Sequence, residues 1–257
     1  MNSNNQIQAS GDIRLDVSSL KKAFQGRGNI LDDISLNVRC GEAVALIGGN
    51  GSGKSTLIRC CMRLIEPDSG DIVFLQENVS RLNGKQLRRL RSRVGMVFQK
   101  HNLVPRLTVL SNVIHGAIGR EGGVRTLRHN IAPKRLRDEA IVCLEKVGLA
   151  HLAGYRADML SGGESQRVAI ARALMQRPDF IIADEPVASL DPKAGKEVME
   201  LFYQLNKEEN LTLLYVSHDL EHALKYSDRL IGLKKGQILL EGRSSSFTQG
   251  DLHEVYH

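Results

Sequence analysis

The chain has 257 residues, of which 42% are hydrophobic and 25% charged, with a net charge of +6. That length can bury a sizeable core, while the longest apolar stretches, 43–47 and 180–183, fall far short of the roughly 18 residues that suggest a membrane span. The modest basic excess suits an anionic partner, and by itself does not choose among ATP, lipid headgroups and nucleic acid.

Residues 1–11 are polar and carry no apolar core of a secretory signal, so they are expected to form a loose tail on a cytosolic chain. The rest, 12–257, is expected to fold as one unit. Strands are expected at 13–17, 34–38, 42–47 and 71–75, with a helix over 53–64 that starts inside a glycine-rich turn. Lys85, Arg88, Arg89, Arg91 and Arg93 are interrupted by Leu87 and Leu90 at helical spacing. That pattern predicts a solvated helix face rather than a nucleic-acid patch. After a strand at 94–98, helical periodicity takes over in 109–117, 134–147 and 164–174, with Pro133 in a first helical turn and Gly148 at a helix end. This predicts an all-helical insert over about 104–175. Strands return at 180–184, 212–216, 229–233 and 237–241, separated by helices at 192–207 and 219–227. Such alternation predicts a doubly wound α/β core. With the last apolar position near Val255, no regulatory domain is expected after the core. Cys40, Cys60, Cys61 and Cys143 show no ligand spacing and are read as reduced packing residues.

Three blocks carry the chemistry. Gly48-Gly49-Asn50-Gly51-Ser52-Gly53-Lys54-Ser55-Thr56 follows an apolar strand and opens a helix, which is the context of a phosphate-binding loop. Its backbone N–H groups and helix N-terminus suit a nucleoside triphosphate. Lys54 is expected on the β and γ phosphates and Ser55 on Mg2+. The run 180–184 then delivers Asp184 and Glu185 at the C-terminal end of a strand, the edge where open α/β sheets bind ligands. Asp184 is expected to hold Mg2+ through water, and Glu185 to orient and polarise the water that attacks the γ-phosphate. In the third block, Leu160-Ser161-Gly162-Gly163, Ser161 is a plausible N-cap and the glycines let backbone approach a phosphate.

Followed by Gln166-Arg167-Val168-Ala169-Ile170-Ala171-Arg172-Ala173-Leu174, this third block makes the chain resemble an ABC-transporter ATPase along almost its whole length. The resemblance implies an α/β P-loop NTPase core with an N-terminal antiparallel β subdomain and an all-helical signature subdomain. It implies ATP and Mg2+ as ligands, with Ser161, Gly162 and Gly163 serving the nucleotide of a second, head-to-tail copy. Phe24 resembles the aromatic that stacks on adenine, Gln99 the lid glutamine that reaches Mg2+ and the attacking water, and Asp191 the loop that crosses the dimer interface. His218 resembles the switch histidine on the γ-phosphate. His101, His115, His129, His151, His222, His253 and His257 are read as surface or helix residues. Glu164 departs from the commonest signature, which has Gln there.

Residues 94–113, continuing through His115-Gly116, and the Val187-Ala188 pair most resemble ATPase subunits of bacterial phosphonate importers. That likeness implies a separate integral membrane permease, accepted by a groove from Lys100 to Arg120, and a periplasmic phosphonate-binding protein reached through the permease. It implies a peripheral position on the cytoplasmic face of the inner membrane and no nucleic-acid partner. A phosphite or phosphate importer, or a soluble ATPase attached to a carbon–phosphorus lyase complex, has similar motifs.

Overall fold

The computed structural model describes residues 13–26, 28–121 and 129–256; the expected tail at 1–11 and His257 lie outside them. The strands among the described residues are β1 (Ile13–Phe24), β2 (Gly28–Arg39), β3 (Ala43–Ile47), β4 (Ser69–Phe74) and β5 (Glu77–Asn78), then β6 (Val94–Phe98), β7 (Phe180–Asp184), β8 (Leu213–Val216), β9 (Arg229–Lys234) and β10 (Gln237–Arg243). The chain divides into two compact units, Met1–Leu90 with Tyr203–His257, and Arg91–Phe202.

In the first unit an antiparallel sheet has the order β2-β1-β4-β5. β1 and β2 run well beyond the apolar segments 13–17 and 34–38 because they form one long hairpin, with Phe24 opposite Gly28 at its tip. A second sheet in this unit runs β10-β9-β3-β8. All five residues of β3 are buried, as expected of a strand with parallel neighbours on both sides, here β8 and β9. Its entry is fixed by Arg229, whose guanidinium pairs with Glu42 at 2.7 Å, and by Asn206, whose amide donates to the carbonyls of Gly41 at 2.8 Å and Leu211 at 2.7 Å.

β3 leads through the glycine-rich turn into the helix Lys54–Cys61, which buries Leu57, Ile58, Cys60 and Cys61. The helix stops three residues short of the expected 64, and Arg63 then turns the chain with a left-handed φ of 48°. Burial pushes the Cys60 thiol up to about 11 and the Cys61 thiol further in the same direction. The expected basic helix forms as Gly84–Ser92, with Leu90 buried and Lys85, Arg88 and Arg89 exposed.

In the second unit β6 pairs with β7 in parallel register. Its helices include Val109–Ile114, Ile118–Glu121, Lys134–Lys146 and Gly162–Leu174. The expected helix 109–117 breaks at Ile114 into a 3-10 turn, His115–Ala117. Thr108 caps its start, with its side chain accepting from the Ser111 N–H. Pro133 is the N-cap of its helix rather than part of the first turn: its ψ of 146° is extended, which suits a residue with no N–H to contribute. Gly148 ends that helix with φ 71°, as expected.

Candidate functional site

The first unit carries the phosphate-binding loop. Leu46 of β3 lies opposite Val216 of β8, so Gly48 and His218 each emerge two residues beyond the same register, at one sheet edge. The Ser217 N–H donates to the Leu46 carbonyl at 3.2 Å and ties the two exits together. Gly48 has φ 148°, and a Cβ there would stand 2.2 Å from the Leu233 carbonyl oxygen of β9, so no larger residue fits. Lys54 is only 5% exposed, and its ammonium donates to the carbonyls of Gly48 at 2.8 Å and Gly49 at 3.0 Å. A buried cation that donates to neutral loop carbonyls, at the N-terminus of a helix, builds an anion site. Ser55 and Thr56 are half-buried in the first turn, and Asn50 and Gly51 face outward. Phe24 is exposed at the end of β1, with the Lys22 ammonium 5.4 Å from its ring centre.

The second unit carries the carboxylates. Phe98 of β6 lies opposite Asp184 of β7, so Gln99 and Glu185 leave neighbouring strands at one edge. Glu185 has a left-handed φ of 52°, unfavourable for a non-glycine residue and a kind of strain that gathers at functional sites. The turn beyond it is closed by the Ala188 N–H on the Glu185 carbonyl at 3.3 Å and the Leu190 N–H on the Val187 carbonyl at 3.1 Å. Asp191 accepts from the Lys193 and Ala194 N–H groups, both at 3.0 Å, and so caps the helix Pro192–Glu209.

Ser161 caps the helix Gly162–Leu174 in a reciprocal capping box with Glu164. A Cβ on Gly163 would stand 3.0 Å from the Ala194 Cβ, so this glycine lets the start of the signature helix lie directly against the start of the helix after Asp191. Ser161, Gly162 and Gly163 are therefore brought together with Leu190 and Ala194 inside this unit, and Ser161 and Gly162 are exposed.

A model of the ABC transporter family matches residues 31–188, more than half of the chain. The chain belongs to the ABC transporter family. This cassette is 45% identical over 242 residues to the "Phosphonates import ATP-binding protein PhnC" of Lactococcus lactis subsp. lactis (strain IL1403), covering 94% of this chain and 98% of that one. It is 43% identical over 248 residues to the protein of the same name from Nitratidesulfovibrio vulgaris, covering 96% and 93%. Among solved structures it is similar to the ATP-binding cassette MJ0796, dimeric and bound to ADP and Pi, with TM-score 0.78, 33% identity and coverage of 91% of this chain and 100% of that one. The ADP conformation of the cassette MJ1267 gives TM-score 0.82 at 30% identity, covering 95% and 96%.

In this ABC cassette the phosphate loop, Phe24 and His218 lie in the first unit. Gln99, Asp184, Glu185, Asp191 and the Ser161–Gly163 turn lie in the second. Three residues to which sequence reading gave no site role make contacts beside these sites. Tyr256 lies beside the phosphate loop: its hydroxyl donates to the Ser217 carbonyl at 3.3 Å, and burial pushes its pKa up against an opposing hydrogen bond from the Gly48 backbone. Arg172, half-buried in the signature helix, donates to the carbonyls of Asn102 at 2.6 Å and His101 at 2.8 Å, just after Gln99. His101, expected on a surface or helix, instead sits half-buried in a loop. Burial pushes its ring pKa down, with a further push from the Arg172 charge. It lines a groove of about 510 Å³ with Gln99, Leu103, Pro105, Ser165 and Ser189. Arg172 and His101 lie in segments that carry the family resemblance and Tyr256 outside any motif, but the contacts of Arg172 and Tyr256 join distant parts of the chain and only the fold exposes them.

Proposed function

We propose that this cassette is the ATP-hydrolysing subunit of a bacterial ABC importer that takes up phosphonates. The supporting observation is its 45% identity over nearly the whole length to a phosphonate import ATP-binding protein, together with an intact phosphate loop around a buried Lys54. The backbone N–H groups of Gly48 to Gly53 and the Lys54 ammonium bind the triphosphate, Thr56 continues the first helical turn, and Phe24 offers its exposed ring to adenine. Oxygen donors from Ser55, Asp184 and Gln99 suit Mg2+, which would neutralise phosphate charge when bound. Glu185 takes the proton of the attacking water, and His218 and Gln99 hold the γ-phosphate and the water in place.

In this reading a second copy completes each site head to tail, lending Ser161, Gly162 and Gly163, with Asp191 at the interface. The pairing is two-fold symmetric. A similar cassette, MJ0796, has been solved as a dimer with ADP and Pi, which supports this arrangement. No helix among the described residues is long and apolar enough to cross a membrane. A separate integral permease therefore supplies the path, a periplasmic binding protein selects the phosphonate, and the cassette works peripherally on the cytoplasmic face of the inner membrane.

Reconstituting the cassette with its permease and binding protein in vesicles tests this. Phosphonates are expected to stimulate ATP turnover. Stimulation by phosphate or phosphite alone would reject the cargo, and recovery of the native chain in a soluble lyase complex would reject import.

A further inference from the structure

The signature turn holds its own anion. The Ser161 hydroxyl donates to a Glu164 carboxylate oxygen at 2.7 Å, and the Ser161 N–H donates to the same oxygen at 2.8 Å. The Glu164 N–H returns a bond to the Ser161 hydroxyl oxygen at 3.3 Å. Ser161 itself is exposed. A helix N-terminus offers its donors to negative charge, and here the chain supplies that charge from position 164. The carboxylate is nevertheless not required for the cap, because Gln at the same helix position closes the same box. Nor is its length required: Thr248 and Asp251 form an equivalent box at the start of the helix Gln249–Leu252, with both Thr248 donors on the Asp251 carboxylate at 2.7 Å.

We propose that Glu164 is an internal competitor for the triphosphate of the second copy. It occupies the Ser161 hydroxyl in the free cassette and raises the ATP concentration at which two copies close. The inference rests on the head-to-tail reading above. On closure the Ser161 hydroxyl exchanges a carboxylate for a phosphate oxygen, and the displaced carboxylate remains close to that phosphate, where like charges repel. Arg167, three residues on along the same helix, and His151 are the charged and titratable groups that act on Glu164 from nearby, and Arg167 offsets part of the repulsion. Gln at this position keeps the cap but gives the hydroxyl a weaker, neutral acceptor and removes the repulsion. Hydrogen bonds to charged partners are roughly twice as strong as neutral ones.

The test compares three full-length chains, Glu185→Gln alone, with Glu164→Gln, and with Glu164→Asp, during titration with MgATP. Dimer is measured by sedimentation, and ATP binding to the monomer separately. Glu164→Gln is expected to lower the ATP concentration for half-maximal dimer by about five- to tenfold. Glu164→Asp, which keeps both cap and charge, is expected to stay near the parent. No shift, or a shift to higher ATP, with Gln would overturn the inference, as would an equal gain with Asp. If the Glu185→Gln chain binds ATP but never pairs, the head-to-tail reading fails and this inference falls with it. If it pairs and Glu164→Gln has no effect, only the inference fails.

Discussion

The Lys54 ammonium lies 2.8 Å from the Gly48 carbonyl, so the loop's cation is bound by the residue that opens the loop. It also contacts the Ser52 hydroxyl at 3.4 Å, which closes the glycine-rich turn around a single positive group. A triphosphate is thus met by a charge already in position, and little of its binding free energy goes into ordering the side chain.

Lys54→Ala removes that charge while the backbone N–H groups stay. ATP hydrolysis is expected to fall by at least about 100-fold, with weaker nucleotide binding, read by phosphate release and calorimetry. Retention of full turnover would show that the loop is not the nucleotide site.

Glu185→Gln keeps the size of the side chain and its turn but removes the base. Turnover is expected to drop by roughly 10²–10⁴-fold with ATP binding retained. A drop in binding of the same size would assign Glu185 to nucleotide affinity instead of water activation.

Tyr256→Phe removes one hydrogen bond to the Ser217 carbonyl, next to His218, and the partner of the Gly48 backbone. A net loss of about 1 kcal/mol is expected, seen as roughly fivefold weaker ATP binding with an unchanged fold. Unchanged affinity would make Tyr256 a packing residue only.

Glu164 gives a pH signature. The Ser161 N–H and then the Ser161 hydroxyl hold its carboxyl below the ordinary glutamate value of 4.5. The folded state therefore binds the proton less readily than the unfolded chain. The resulting stabilisation is fully present above pH 4.5 and is lost as pH falls through the lowered folded value. Melting curves of the parent and Glu164→Ala are expected to stay separated by a constant gap above that pH and to converge below it. A gap independent of pH would mean that the carboxylate charge does not support the cap.

The motif-bearing parts of the cassette were legible because their chemistry is local. The loop 48–56 needs glycines and a lysine at fixed spacing, and β3 and β7 are short apolar runs whose burial follows from composition alone. Phe24 was placed by resemblance, and the structure finds it exposed at a hairpin tip. The lengths of β1 and β2 were not legible, since Lys21 and Lys22 are polar and join a strand only through pairing, Lys22 with Leu31 across the hairpin and Lys21 with Ser69 of β4. Arg172 and Tyr256 were missed for a related reason: their partners lie 70 or 71 and 39 residues away, and no local period marks such pairs.

Cys60 and Cys61, fully buried on the helix that follows the phosphate loop, give the chain a native reporter. A thiol-reactive dye reaches them only when that helix opens, whereas Cys40 is partly accessible at all times. A ligand bound to the folded loop disfavours opening of that helix, so labelling of this pair, resolved from Cys143, which is also buried, is expected to slow as nucleotide occupancy rises.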